Sequence, residues 1–427
     1  MSMNKLSKLA PFMLKAHAVE VGRDRLEQVK NRLAFMLITT DISENSRKKL
    51  LAEFPCPVYQ CLTSGEIEEL FGFKGTKVIG FRRSPLSVSV LPELKEFLID
   101  RDGMLNAPEP LPENPRIAVL GASGIGKFHC GWWKAEGCEP IAFLGSSAES
   151  VKATAEKLQG MFGIAPKGFT SLDVLLDEIQ PDIVDICLPP EMHYTAAKSA
   201  LENGCHVLCE KPFVYDGTIS HGVLRDQCEE LQVLSESRHR MLGLCTQYIM
   251  AIQECMALFK EHTGNDKPES YVGTLCSPGT NRVATPENIW LDLAPHMLAG
   301  AQFLSGNGRI DFKTLRTDFS EKRVRAAFVC ERRGGEPLHC EIGTAFRDEE
   351  PRSIRRFIID GNQFDIEGRK EADGTFAMLI KTPWGDFERP DMLRLLLRSF
   401  LHGKVEMTPR MARRNMDWLL RVLEQRR

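Results

Sequence analysis

The sequence predicts an α/β chain in three parts: an N-terminal α/β/α sandwich, a doubly wound parallel sheet, and an α+β region with an open, largely antiparallel sheet. Three observations predict this. Helical and strand-like patterns alternate over residues 1–102 and again from Arg116 to about Cys245. The short runs of the second stretch are apolar throughout, as strands covered on both faces are, whereas those in 246–427 are longer and alternate apolar with polar. Between the first two parts, "RDGMLNAPEPLPENP" (101–115) carries four prolines, which keep it extended and make 103–115 a linker.

In order along the chain, "MSMNKLSKLAPFMLKAHAVEV" reads as an amphipathic helix; it lacks the apolar length and small-residue cleavage site of a signal peptide. "RDRLEQVKN" is helical, "LAFMLITTD" a strand and "SENSRKKLLAEF" a helix. "CPVYQCL" is a strand, "SGEIEELFGF" a helix opening on Ser64, and "TKVIGF" a strand. In the second part the strands are "RIAVLG", "PIAFLG", "DIVDICLP", "HVLCEK" and "MLGLC", spaced by helices such as "SAESVKATAEKLQGMFG" and "HYTAAKSALENG". In the third they are "RAAFVCERR", "LHCEIGTAF", "IRRFIIDG", "QFDIEG" and "FAMLIKT". The basic amphipathic helix "TPRMARRNMDWLLRVLEQRR" closes the chain, its charges on a solvated face.

A length of 427 residues exceeds one ordinary core, in keeping with several domains. The net charge of −3 argues against a chain that binds nucleic acid or membrane surfaces as a whole. No apolar run approaches the roughly 20 residues that span a bilayer. Thirteen cysteines form no C-x-x-C pair, and Cys187, Cys205, Cys209, Cys245 and Cys330 sit inside apolar runs, so they read as small buried hydrophobes in a reducing, cytoplasmic setting.

After the strand "RIAVL" comes "GASGIGKFH" (121–129). Gly121 and Gly126 fit the first and third places of a G-x-G-x-x-G turn, whose glycines admit a tight corner and close helix packing. Ser123 takes the middle place, with Gly124 one position late and Ile125 between. A strand before and a helix after make this a dinucleotide site of the Rossmann type, with the helix N-terminus toward the phosphates. The second strand ends in Gly145, Ser146 and Ser147, with no carboxylate before Glu149. Without that acid a 2′-phosphate is not repelled, and Lys152 lies a turn away, so the pattern favours NADP over NAD.

In "HVLCEKPF" (206–213) a buried strand delivers Glu210 and Lys211 and stops at Pro212. At the carboxyl edge of a parallel sheet, Lys211 can hold developing oxyanion charge or donate a proton, with Glu210 fixing its orientation. The Lys211–Pro212 bond is expected to be cis. Asp292 and His296, four apart in a helical stretch, share one face.

Four motifs in order, "GASGIGKFH", "DIVDICLPPEMH" (ending at His193), "ALENGCHVLCEKP" (200–212) and "WLDLAPH" (290–296), resemble the Gfo/Idh/MocA oxidoreductase family over about 116–400. The resemblance implies a dinucleotide-binding domain at 116–245 followed by a substrate-binding and oligomerisation domain at 246–427. It further implies an NAD(P)-dependent oxidoreductase moving hydride between nicotinamide and a hydroxyl or carbonyl carbon of a polyhydroxy small molecule, a sugar or cyclitol. Lys211 matches the family's motif lysine, and Asp292 and His296 match its D-x-x-x-H pair, with His296 as base. Pro189, Pro190 and His193 fall with Glu210 and Lys211 among the cofactor-binding positions, and no metal is implied. The sequence departs from the family at Ala299, where a carboxylate often stands, and in "QYIMAIQ" (247–253), which lacks the usual arginine and proline. The open sheet of the third part points to a homo-oligomer. A non-catalytic dinucleotide-binding regulator, docking RNA or protein through its front domain, is the alternative.

Residues 1–102 resemble the kink-turn RNA-binding ribosomal-protein fold, through "GRDRLEQVKNRLAFMLITTDISENSRKKL" (22–50), "PVYQCLTSGEIEELFG" (57–72) and "KVIGFRR" (77–83). In that family Asn-Glu follows the glycine; here Arg23, Asp24 and Arg25 follow Gly22. Arg23, Arg25, Lys30, Arg32, Arg82 and Arg83 could contact phosphates, which position without specifying sequence. Residues 1–100 hold 15 Lys and Arg against 12 Asp and Glu, a small basic excess.

Overall fold

The computed structural model describes residues 4–426 apart from 55, 83, 95, 96, 98, 100–107, 281, 333, 334 and 371–375. Arg83 and residues 103–107 of the expected linker thus lie outside the described residues. The chain divides into two compact units, Met1–Ala107 and Pro108–Arg427.

Unit 1 runs α1 (Asn4–Lys15), β1 (Val19–Glu20), α2 (Arg23–Val29), β2 (Leu33–Ile38), α3 (Glu44–Glu53), β3 (Val58–Gln60), α4 (Ser64–Phe71), β4 (Val78–Arg82) and α5 (Pro85–Leu94). Its sheet has the order β1-β4-β2-β3, with β2 and β3 parallel and the other pairs antiparallel. The two-residue period of β2 makes the sandwich. Phe35 and Leu37 enter one core with Leu6, Met13, Phe71 and Leu94, and Met36 and Ile38 enter another with Leu26, Val29, Leu51 and Phe54. A Thr63–Glu66 capping box starts α4. Among the cations expected at phosphates, Arg23 pairs with Glu53 at 2.9 Å, and Arg25 with Glu20 at 3.0 Å. Arg82 also pairs with Glu20. These three charges are answered inside the unit.

Unit 2 opens with β5 (Ile117–Leu120), α6 (Gly126–Ala135), β6 (Ala142–Leu144), α7 (Ala148–Phe162), β7 (Lys167–Phe169), α8 (Leu172–Ile179) and β8 (Ile183–Ile186). Then come α9 (His193–Glu202), β9 (His206–Glu210), α10 (His221–Ser237) and β10 (Leu242–Cys245). The six strands are all parallel, in the order β10-β9-β8-β5-β6-β7. Chain order reverses between β5 and β8, and a doubly wound sheet opens its crevice there. The expected doubly wound sheet is present.

The chain continues through α11 (Tyr248–Thr263), β11 (Ser270–Pro278), α12 (Pro286–Leu304), β12 (Arg309–Ser320), β13 (Arg323–Glu331) and β14 (Leu338–Arg347). It ends with β15 (Ile354–Ile359), β16 (Asn362–Lys370), β17 (Phe376–Thr382), β18 (Gly385–Pro390), α13 (Met392–Leu401) and α14 (Pro409–Glu424). These eight strands form one sheet, β12-β13-β14-β11-β15-β16-β17-β18, in which only β11 and β14 run parallel. Helix α12 packs on β11, β13 and β14. One continuous hydrophobic core runs through both sheets of unit 2.

The last two helices return to the first sheet. Helix α13 packs on α6, where Glu136 accepts hydrogen bonds from Arg394 Nε (2.5 Å) and Arg398 Nε (2.7 Å). Helix α14 packs on α10, β10 and α12, burying Met416, Trp418, Leu419 and Leu423. Its outer arginines meet acids: Arg421 pairs with Asp417, and Arg413 lies 3.5 Å from Glu229. Among the described residues no helix is long and apolar enough to cross a membrane.

Candidate active site

The turn from β5 to α6 needs glycine at two places. Gly121 has φ +88°, and a Cβ there would stand 2.6 Å from the Cys187 carbonyl oxygen. A Cβ on Gly126 would stand 2.6 Å from the Gly121 carbonyl oxygen. A Cβ on Gly124 would meet nothing within 4 Å, so the late glycine is not sterically required. The turn therefore keeps a bare backbone against the first turn of α6, a geometry that receives an anion. At the end of β6, Ser147 Oγ accepts the Ser150 N–H at 3.2 Å and caps α7, while Ser146 is exposed.

Beside this turn lies a cavity of about 640 Å³. Ile125, Cys187, Leu188, Pro190, Glu210 and Lys211 line it from the parallel sheet, and Asn288, Leu291 and Asp292 line it from α12. Lys211 Nζ stands 2.5 Å from Asp292 Oδ1 and 3.0 Å from the Asp292 carbonyl oxygen. Pro295 has no N–H to donate to the Leu291 carbonyl, the neighbour of Asp292 in α12. Arg282 donates to the other Asp292 oxygen at 2.5 Å and lies over the Phe346 ring. The Lys211–Pro212 bond is cis, as expected from the sequence.

Of the catalytic and cofactor-binding residues expected from the sequence, five thus meet at the cavity: Ile125, Pro190, Glu210, Lys211 and Asp292. Ser123, Gly124, Ser146, Ser147, Pro189, His193 and His296 do not line it. His193 is buried instead, with Nε2 2.8 Å from the Leu188 carbonyl and Nδ1 2.9 Å from the Pro212 carbonyl, so it ties the loop after β8 to the proline turn. His296 lies one helical turn beyond Asp292, buried against the Tyr248 ring at 4.9 Å, with no hydrogen-bond partner on Nδ1.

Burial and the Lys211 ammonium hold His296 down at about 3. Burial and the Arg240 guanidinium hold His206 down at about 4. An unfolded histidine protonates near 6.5, so between that pH and about 4 the unfolded chain binds more protons than the folded one. Stability therefore falls as pH falls through this window. The His296→Gln chain is expected to lose one proton's worth of that slope, about 1.4 kcal/mol per pH unit, in thermal denaturation at pH 5, 6 and 7. Parallel slopes for the two chains would show that His296 is charged when folded.

Behind Lys211 a second set of groups is sealed in the core. His129 Nδ1 stands 2.8 Å from Asp185 Oδ2, which also accepts the Trp133 Nε1–H at 2.7 Å. On the other side of the ring, Nε2 lies 3.4 Å from Glu210 Oε1. Burial alone would lower the His129 pKa, but the Asp185 charge raises it well above the ordinary histidine value. Burial would raise Glu210, yet the charge of His129, 3.4 Å away, brings it down to about 2. The ring is flanked by His129–Asp185–Cys187 and His129–Glu210–Cys245, each with donor atoms within 4.8 Å. The 2.8 Å Asp185–His129 separation is a hydrogen-bond length, shorter than the roughly 3.3 Å between two tetrahedral ligands of one zinc ion.

Sequence reasoning missed Arg282, Tyr215, Asn288, Asp185 and a role for His129. Tyr215 lines the cavity and donates to Glu287 on α12. One signal was readable: Asp185 is a lone carboxylate inside the apolar run "IVDI", and such a residue is buried only with partners.

The glycine turn, the parallel sheet and the lysine–aspartate pair at its carboxyl edge define an α/β unit of the Rossmann type with an appended open sheet. Comparison with known proteins narrows that class. Residues 115–244 match the model of the Gfo/Idh/MocA family, described as an oxidoreductase family with an NAD-binding Rossmann fold. The chain is 28% identical over 207 residues to D-glucoside 3-dehydrogenase of Escherichia coli (strain K12), covering 45% of this chain and 54% of that protein. It thus spans about half the length of that curated relative. Among solved structures, UDP-N-acetylglucosamine 3-dehydrogenase GnnA from Acidithiobacillus ferrooxidans superposes with a TM-score of 0.56 at 19% identity, covering 73% of this chain and 97% of that one. An oxidoreductase from Agrobacterium radiobacter, in complex with NAD+, L-tartaric acid and magnesium, superposes with a TM-score of 0.55 at 15% identity, covering 73% and 96%. Both likenesses speak to the fold of unit 2.

Proposed function

We propose that the chain is an NAD(P)-dependent dehydrogenase of the Gfo/Idh/MocA family, acting on a CH–OH carbon of a sugar-like or cyclitol molecule. One observation carries this reading: a lysine ammonium, fixed by Asp292, faces a cavity that adjoins a glycine turn shaped for pyrophosphate. The residues fit the cofactor, because Gly121 and Gly126 let the β5–α6 turn close tightly, and Gly124 within that turn faces open space. A bound nicotinamide supplies hydride acceptance or donation. Lys211 then holds the substrate oxygen as negative charge develops on it. Asp292 and Arg282 orient Lys211, while His296 lies one turn deeper, neutral and outside the cavity lining, so the geometry gives it no direct contact with the hydroxyl. Ser146, exposed at the end of β6 without a neighbouring carboxylate there, supports NADP over NAD.

The test is a panel of sugars, nucleotide sugars and cyclitols, with each cofactor, followed by reduced-nicotinamide absorbance. Turnover on at least one polyhydroxy substrate is expected, with NADP the tighter ligand in fluorescence titration. Cofactor binding without turnover on any of them would make the chain a dinucleotide-binding regulator.

A further inference from the structure

From the core outward, six side chains in unit 2 alternate in sign: Asp185, His129, Glu210, Lys211, Asp292 and Arg282. The contacts run 2.8 Å from Asp185 to His129, 3.4 Å from His129 to Glu210, 2.5 Å from Lys211 to Asp292 and 2.5 Å from Asp292 to Arg282. The middle link is covalent proximity. Glu210 and Lys211 are chain neighbours, and Glu210 Oε2 accepts the Lys211 backbone N–H at 3.1 Å. Glu210 is the one member that touches both halves, lining the cavity with one side and meeting His129 with the other.

A carboxylate so placed needs an answering charge. Left alone, the Glu210 anion would draw on the Lys211 ammonium as its counter-charge, in competition with Asp292, since a buried uncompensated anion is costly. His129 meets that need from below the sheet, and Asp185 and Trp133 hold its ring in place. We propose that His129 is a positioning residue: as a buried imidazolium it balances Glu210, and so sets the charge that Lys211 presents to the substrate oxygen. This rests on the dehydrogenase reading of Lys211, and deepens it. His129 touches neither cavity nor substrate; it acts only through Glu210.

The groups around the two ends are named by their elements. His129 on α6 faces Asp185 on β8, Cys187 just after it, Glu210 on β9 and Cys245 on β10. Lys211 faces Glu210, Asp292 and His296, with Arg282 beyond Asp292. Burial keeps both cysteines as thiols, pushed upward from the ordinary range. The charges that decide the outcome are therefore the six of the chain.

The test reads the Lys211 amine directly in the full-length protein. Competitive acetylation across pH, scored at Lys211 by mass spectrometry, gives a midpoint without any need for turnover. In His129→Gln the anion of Glu210 loses its counter-charge, and the Lys211 midpoint is expected to rise by about half a pH unit or more. In Glu210→Gln the anion itself is gone, and the midpoint is expected to fall by about as much. Opposite shifts from two amide substitutions are the signature, because structural loosening would move both the same way. Shifts of one sign, or none, overturn the proposal. Should His129→Gln fail to fold, the wild-type chain with ¹⁵N-labelled histidine carries the test. Among the ten histidines one ring is expected to keep both N–H groups at pH 8, and ten neutral rings at that pH would overturn it. A chain with the opposite shifts but no turnover on any substrate would count against the dehydrogenase reading alone.

Discussion

Turnover of the Lys211→Ala chain is expected to fall by about 10²–10⁴-fold, the range for losing a positioned proton-transfer or charge-stabilising group. Dinucleotide affinity should change by less than about threefold, under 1 kcal/mol. The separation follows from geometry. Lys211 Nζ is already held by two oxygens of Asp292, so the charge is in place before substrate arrives. The glycine turn owes nothing to the lysine side chain, because it depends on bare backbone at Gly121 and Gly126. An arginine at 211 should rescue little, since a planar fork cannot reproduce an ammonium held between a carboxylate and a carbonyl. Initial rates and a fluorescence titration on the same sample make the comparison. Wild-type turnover in Lys211→Ala would remove this residue from the chemistry.

Asp185→Ala is expected to destabilise unit 2 by about 3–5 kcal/mol, the cost of leaving a buried charge without its partner. Asp185 is fully buried and accepts from both His129 and Trp133, so its loss strands an imidazole and an indole N–H where water cannot replace it. For a unit of this size the melting temperature should drop on the order of 10 °C. Asp185→Asn should cost less, because its amide oxygen can still accept one of the two bonds. Scanning calorimetry of the three chains decides it. A drop of under about 2 °C in Asp185→Ala would mean that His129 is neutral and the pair weak.

Much of the fold could be read from pattern alone, for a physical reason. Strands such as "RIAVL" and "HVLC" are apolar at every position because helices cover both faces, and that signal is local. Strand β7 escaped because it is only Lys167–Phe169, with glycine in the middle. Strand β12 escaped because the polar half of "RIDFKTLRTDFS" outweighs its apolar half. At the site, Glu210, Lys211 and Asp292 were legible because motif spacing places them. Arg282 was not, since it sits in a loop ten residues before its partner Asp292, and only folding brings it onto that carboxylate. His296 was expected at the substrate, and lies instead one turn deeper than the cavity lining, where proline and an aromatic neighbour enclose it.

The return of α14 to β10 has a consequence for biosynthesis. β10 is the edge strand of the parallel sheet, and α14 packs over it. Roughly 160 residues are translated between Cys245 and Pro409, which takes on the order of ten to thirty seconds at ribosomal rates. Throughout that interval the nascent parallel sheet carries an apolar flank with α14 not yet made to close it. The chain must therefore emerge with an unfinished edge, a state that favours chaperone capture.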